Sequence, residues 1–276
     1  FRVLPGETLI VESGRIAHRL RRSALPAGPP LEIDEASALK QVEEALIDSV
    51  GVHQRSDVPY GMFLSGGIDS SAVLALMARL NDQPVKAFTV GFSDTAAADE
   101  RSDAAAIAKS LGAEHIEVDF TEQDFWSTVP LVARAMDDPV ADYAELPTYK
   151  LAATAGQDLK VILSGEGGDE LFGGYGRYRS AIRPWWSHRR AMRSRGALDG
   201  MNILREESRD WRSGLAASEA IAASDGRSPL QTAQATDCAD WLPHDLLIKL
   251  DRCLMANGVE GRTPMLDPAV ANAVFR

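Results

Sequence analysis

The chain has only 2 cysteines in 276 residues, Cys238 and Cys253, which leaves no disulfide framework and no thiolate zinc site. Both read as reduced thiols of a cytoplasmic protein. Positive charge is scarce as well: 29 Lys and Arg against 40 Asp and Glu give a net charge of −11. The acids are spread along the chain rather than gathered in a tail. A nucleic-acid partner calls for a basic stripe to neutralise phosphates, so it is excluded as the main ligand. A nucleotide, which needs only a few local groups, is not. Long apolar runs are missing, so no segment reads as a membrane span. Residues 1–20 do not read as a signal peptide, because Glu7, Glu12 and Arg15 interrupt any apolar stretch. With 45% hydrophobic and 25% charged residues, what remains is the composition of a globular protein with a sizeable core.

The hydrophobic pattern supplies the architecture. Residues 8–18 read as a hairpin around Glu12, Ser13 and Gly14, and residues 20–30, rich in Pro, Gly and Arg, as a linker. Asp34 is placed to cap a helix in which Leu39, Val42, Leu46 and Val50 recur at helical spacing. Strands and helices then alternate: strands at 58–64, 85–90, 115–118 and 159–163, helices at 70–80, 99–111 and 145–155, with Gly112 and Gly156 as stops. Nearly continuous apolar strands between helices predict an α/β fold with a parallel sheet covered on both faces. Ligands of such sheets bind at the carboxyl ends of the strands. Residues 177–240 break the rhythm and read as irregular helices packed on the sheet domain. Their Trp185 and Trp186 suit a nucleobase platform, although aromatics in a helical region are more often core.

Two glycine-rich loops stand at strand ends. The first, Ser65-Gly66-Gly67-Ile68-Asp69-Ser70-Ser71, joins a strand to a helix. Glycines bring backbone N–H groups close to an anion, and the helix adds its positive end. Ser65, Ser70 and Ser71 supply hydroxyls, and Asp69 suits Mg²⁺ on phosphate oxygens. The Gly-Lys-Ser/Thr of a Walker loop is absent. The second loop, Ser164-Gly165-Glu166-Gly167-Gly168-Asp169-Glu170, precedes Leu171-Phe172-Gly173-Gly174-Tyr175. Its three carboxylates repel one another unless a cation sits among them. Asp169 is the expected partner of Asp69 on Mg²⁺, and Glu166 the group that orients substrate or takes a proton from an amine.

These two motifs, followed by KLDRCLMANGVEGRTPMLD at 249–267, resemble in order and spacing the synthetase domain of the asparagine synthetases, from about Ile33 onward. The resemblance implies an adenine-nucleotide alpha hydrolase-like (ATP-pyrophosphatase) fold with a C-terminal helical region. It also implies a ligase that adenylates a carboxylate, aspartate by default, and amidates it with ammonia from glutamine, using ATP and Mg²⁺. Residues 1–24 resemble the last hairpin of the preceding glutaminase domain and its linker. Residues 25–276 then form the synthetase domain, expected to continue past residue 276, and a homodimer is the expected assembly. By the same resemblance Ser65, Gly66, Gly67, Asp69, Ser70 and Ser71 take the pyrophosphate. Phe63, Leu64 and Val90 contact the adenosine, and Ser164, Gly165 and Glu166 surround the ribose and the acyl-adenylate. Arg252 stands where a basic residue faces the reacting phosphate and carbonyl, with Lys249, three residues earlier, as second choice.

The segment Asp137-Asp138-Pro139-Val140-Ala141-Asp142 resembles a family segment near the amino-acid substrate, which makes Asp138 and Asp142, with Tyr175, substrate-binding candidates. Its carboxylates equally suit capping of the helix that follows. Two departures from the family pattern fall in the third motif. Gly261 replaces an alanine and is expected to loosen the hold on Arg262, and Met265 replaces a phenylalanine as a core change. The same chemistry on another acceptor, as in β-lactam synthetases, and a silent nucleotide-binding subunit are the alternatives.

Overall fold

The computed structural model describes residues 3–93, 99–183, 186, 192–193, 201–203, 205 and 211–275. Glu7–Glu12 (β1) and Arg15–Arg21 (β2) pair antiparallel. Ser13 at φ 51 and Gly14 at φ 75 form their turn, the left-handed pair that a two-residue hairpin requires. The main sheet consists of Tyr60–Phe63 (β3), Lys86–Gly91 (β4), Glu114–Asp119 (β5), Val161–Leu163 (β6) and Glu260–Arg262 (β7). Its order is β5-β4-β3-β6-β7, and every neighbouring pair is parallel.

Both faces of this sheet are buried, as the continuous apolar strands predict. Met62, Ala87, Val161 and Leu163 face one core, against Val50 of Glu35–His53 (α1), Leu74 and Met77 of Ile68–Leu80 (α2) and Ala108 of Arg101–Leu111 (α3). Their strand neighbours Phe88 and Ile162 face the other core. There they meet Leu151 and Ala155 of Glu145–Ala155 (α5) and Leu250 and Leu254 of Leu247–Met255 (α9). The period-two alternation of side chains thus divides apolar strands between two helix layers. Asp34 caps α1 through the Ser37 N–H (2.9 Å), and Gly112 closes α3 in the left-handed conformation.

Some features differ from the sequence pattern. Glu122–Ala135 (α4) is a helix that the sequence pattern did not mark, with Pro130 inside it; Thr121 and Asp124 form a reciprocal capping box at its start. Strand β7 is three residues long and lies inside the third motif. Leu39 is 63% exposed, so the apolar stripe of α1 engages the core only from its second half. The segment expected as a linker docks at Leu25, which packs beside Val270 and Phe275. Arg227 donates to the carbonyls of Leu25 (3.3 Å) and Pro26 (3.1 Å). Beyond Gly168–Phe172 (α6) come a short 3₁₀ turn at Gly176–Ser180, Ser213–Ser224 (α7), Pro229–Ala239 (α8), a π turn at Leu242–Leu246, and Pro268–Phe275 (α10). Trp185 lies outside the described residues, and Trp186 is 72% exposed.

Gly261 sits in β7 opposite Ile162, and a Cβ there would fall 2.7 Å from Leu254 Cδ1. The glycine therefore admits α9 closely to the sheet. Arg262 is held firmly, donating to the carbonyls of His53 (2.8 Å) and Arg55 (2.9 Å). The expected loosening does not occur. Met265 is buried in the first core. Because Leu254 is fully buried at this junction, Leu254→Ala is expected to lower stability by about 2–5 kcal/mol in urea unfolding. A loss under about 1 kcal/mol would show that α9 does not depend on this contact.

Candidate active site

The chain runs outward from β3 through β4 to β5 on one side, and from β6 to β7 on the other. The strand order therefore reverses between β3 and β6, and a crevice opens above the carboxyl ends of that pair. Both glycine-rich loops leave from there: 65–67 from β3 into α2, and 164–167 from β6 into α6. A Cβ on Gly165 would lie 2.7 Å from the Ser70 backbone N and 3.0 Å from the Asp69 carbonyl carbon. Bare glycine backbone lets the two loops touch. Gly167 at φ 94 takes the second loop into α6, a conformation that L side chains disfavour.

Between the loops lies a cleft of about 700 Å³. Phe63, Leu64 and Val90 form its strand-end wall, Ser65, Gly67, Asp69 and Ser70 its first-loop wall, and Ser164, Gly165, Glu166 and Asp169 the opposite one. Tyr175 closes one side. Gly66 and Ser71, expected in the same group, are not among the lining residues. The Gly66 N–H donates to Glu100 Oε2 (3.1 Å) and the Ser71 hydroxyl to the Gly67 carbonyl (2.6 Å). The loop hydroxyls mainly staple the loop itself: Ser70 Oγ accepts from the Ser65 N–H (3.1 Å), and the Gly67 N–H donates to Ser65 Oγ (3.2 Å). Ser164 Oγ, in contrast, is buried with no hydrogen-bond partner among the described residues.

Charge is concentrated here. Burial, followed by repulsion from Asp169 and Glu166, holds the Asp69 carboxyl above its ordinary value. Such a donor set fits a cation: an ion on Asp69 and Asp169 would relieve the repulsion between them. Among the described residues no three His, Cys, Asp or Glu side chains form a ready metal cage. Magnesium carried in on phosphates needs only one or two protein carboxylates.

The two basic candidates are placed very differently. Lys249 is 6% exposed, donates to Asp142 Oδ2 (2.7 Å) and lies 3.4 Å from Glu166 Oε1. Burial alone would discharge it, but Glu166 and Asp142 outweigh burial and hold its ammonium above the usual lysine value. Arg252 points outward, with its guanidinium bidentate on Asp137 (2.9 and 2.9 Å). The geometry therefore separates these two cations, since one helical turn of α9 carries Lys249 inward and Arg252 to the surface. Asp142 is drawn to Lys249, and its second oxygen accepts from the Ala144 N–H (2.9 Å) just before α5. None of Asp138, Asp142, Lys249 and Arg252 lines the cleft itself; Lys249 reaches it through Glu166, which does.

Glu170 was given no role by the sequence pattern beyond its place in the acidic loop, yet it lines the cleft while 1% exposed. The Tyr175 hydroxyl donates to its Oε1 (2.8 Å). Thr89 and Glu100, which no motif marked, line the cleft as well. Glu100 was legible only as an acid at a helix start.

A five-stranded parallel sheet with paired glycine loops at its reversal point defines an α/β domain whose ligand crevice lies at those loops. Residues 41–276 match the asparagine synthase family model, and the chain belongs to that family. It is similar to a putative glutamine-hydrolyzing asparagine synthetase of Mycobacterium tuberculosis, 33% identical over 94% of this chain and 46% of the relative. It is 32% identical to glutamine-hydrolyzing asparagine synthetase 1 of Bacillus subtilis, over 87% of this chain and 44% of that one. Amidase chyE of Penicillium rubens is 31% identical over 66% of this chain and 30% of its own length. The chain thus spans about half the length of the curated relatives that cover most of it.

Two outcomes are expected. Gly165→Ala places a methyl against the Ser70 backbone, forces the loops apart, and is expected to weaken ATP binding at least tenfold in calorimetry, about 1.4 kcal/mol; unchanged affinity would show that loop contact is not needed. Burial pushes Glu170 up to about 6 from 4.5. The native protein then keeps a proton that the unfolded chain loses, so Glu170 lowers stability as pH rises through that window. The effect reaches about 2 kcal/mol above it. Glu170→Gln should remove this slope in urea unfolding, and an unchanged slope would contradict the assignment.

Proposed function

We propose that this chain is the ATP-using part of an amide-forming ligase. The carboxylate of aspartate attacks the α-phosphate of ATP, pyrophosphate leaves, and ammonia displaces AMP from the acyl-adenylate. The observation that carries this reading is the meeting of the two glycine-rich loops at the strand-order reversal, with Asp69 and Asp169 on opposite sides of one cleft. The first turn of α2, whose N–H groups have no intrahelical acceptor, offers backbone donors and a positive helix end to the phosphates. Strand-end residues Phe63, Leu64 and Val90 supply an apolar wall for the adenine, and Ser164 Oγ a free hydroxyl for the ribose. Magnesium, held by Asp69 and Asp169, would neutralise charge on the departing pyrophosphate.

Behind the second wall, Lys249, paired with Glu166, stabilises negative charge developing on phosphorus and on the carbonyl oxygen, and Glu166 accepts a proton from the incoming amine. The glutamine-hydrolyzing names of the relatives support glutamine as the nitrogen source, with residues 1–24 read as the end of the domain that delivers ammonia. Among the described residues no helix is long and apolar enough to cross a membrane.

Incubation with ATP, Mg²⁺, aspartate and ammonia should yield AMP and pyrophosphate in equal amounts; ADP and phosphate would overturn the scheme. Lys249→Ala should lower turnover by about 10²–10³-fold, whereas Arg252→Ala removes an exposed ion pair and should change it no more than about threefold. Equal losses would return Arg252 to the reaction.

A further inference from the structure

The acidic stretch before α5 is fastened rather than solvated. Asp245, buried in the π turn ahead of α9, accepts the Ala141 N–H through Oδ1 at 2.7 Å. Asp142 uses both oxygens internally: Oδ1 accepts from the Ala144 N–H at 2.9 Å, and Oδ2 from Lys249 Nζ at 2.7 Å. The first bond fixes the plane of the carboxylate, and the second fixes the ammonium. Lysine is a compact charge on a flexible four-carbon stem, so its aim depends on what it is tied to. Glu166, at 3.4 Å, is the looser of its two partners.

We propose that Asp142 is a positioning residue, which holds the Lys249 ammonium against Glu166, itself on the cleft wall, rather than binding the ammonium group of a substrate. Both of its oxygens already accept hydrogen bonds from the protein, and it does not line the cleft. Family resemblance alone left substrate binding and helix capping equally open; the Lys249 contact supplies a third role. Other ionisable groups around this cation are Glu145, held above its usual value by burial and then by Asp142 and Asp245, and the Cys253 thiol, pushed up to about 12 by burial. Among the described contacts, Lys249 is bonded to Asp142 and paired with Glu166, and neither Glu145 nor the Cys253 thiol takes the place of Asp142. The inference rests on the adenylating role proposed for the cleft, and its test includes a readout that does not need turnover.

In the intact protein, pyrophosphate release is measured for wild type, Asp142→Asn and Asp142→Glu, varying aspartate and ATP. In parallel, acylation of Lys249 by an amine-reactive ester is followed by peptide mass spectrometry, with Lys86 and Lys160 as internal references. A misplaced catalytic group loses about 10²-fold, so kcat of Asp142→Asn should fall by that order while both KM values stay within about threefold. Asp142→Glu, which keeps the charge, should recover at least about a tenth of the wild-type kcat on the same scale. Lys249 of Asp142→Asn should acylate several-fold faster than in wild type, with the reference lysines unchanged. A raised KM for aspartate with kcat retained, or wild-type acylation of Lys249, would overturn the proposal. If wild type releases no pyrophosphate while Asp142→Asn still frees Lys249 to the ester, the adenylation scheme fails and the positioning role stands.

Discussion

The contact between two loops governs this domain. Residues 65–70 and 164–168 meet backbone to backbone, because a side chain at Gly165 would fall on the amide of Ser70 and one at Gly168 on the carboxylate of Asp69. The contact is possible only because β3 and β6 are hydrogen-bonded neighbours whose chain connections depart in opposite directions. Sheet order, loop composition and cleft width are thus one constraint. The buried layers behind it, with Met62, Leu74 and Leu163 on one face and Phe88, Ile162 and Leu254 on the other, hold the two strand ends at a fixed spacing.

Electrostatics follows from the same packing. Bringing the loops together buries Asp69 beside Asp169 and Glu166 and raises the free energy of its charged form. The protein answers part of this with a single buried cation, Lys249, on the Glu166 side. The Asp69 and Asp169 side has no such internal partner among the described ion pairs. That asymmetry separates a wall suited to a divalent ion and phosphates from a wall suited to the reacting carbonyl.

Much of this was legible in the residues. Four of the five strands of the main sheet, the loops between them and the cap at Asp34 follow from periodicity and turn chemistry, which are local. What was not legible is three-dimensional or weakly patterned. β7 has three residues and gains its place from pairing with β6, not from its own sequence. α4 carries Pro130 inside it, which reads as a helix breaker, and its capping box uses Asp124 rather than a glutamate. Spacing put Lys249 and Arg252 on one helical face, but α9 packs so that the boundary between core and water falls between them. Glu100 and Thr89 reach the cleft from segments that no motif marks.

A structure with Mg²⁺ and a non-hydrolysable ATP analogue tests the central claim most directly. The account predicts phosphates against the first turn of α2, with one ion between the carboxylates of Asp69 and Asp169. A nucleotide bound elsewhere, or an ion that neither aspartate touches, would contradict it.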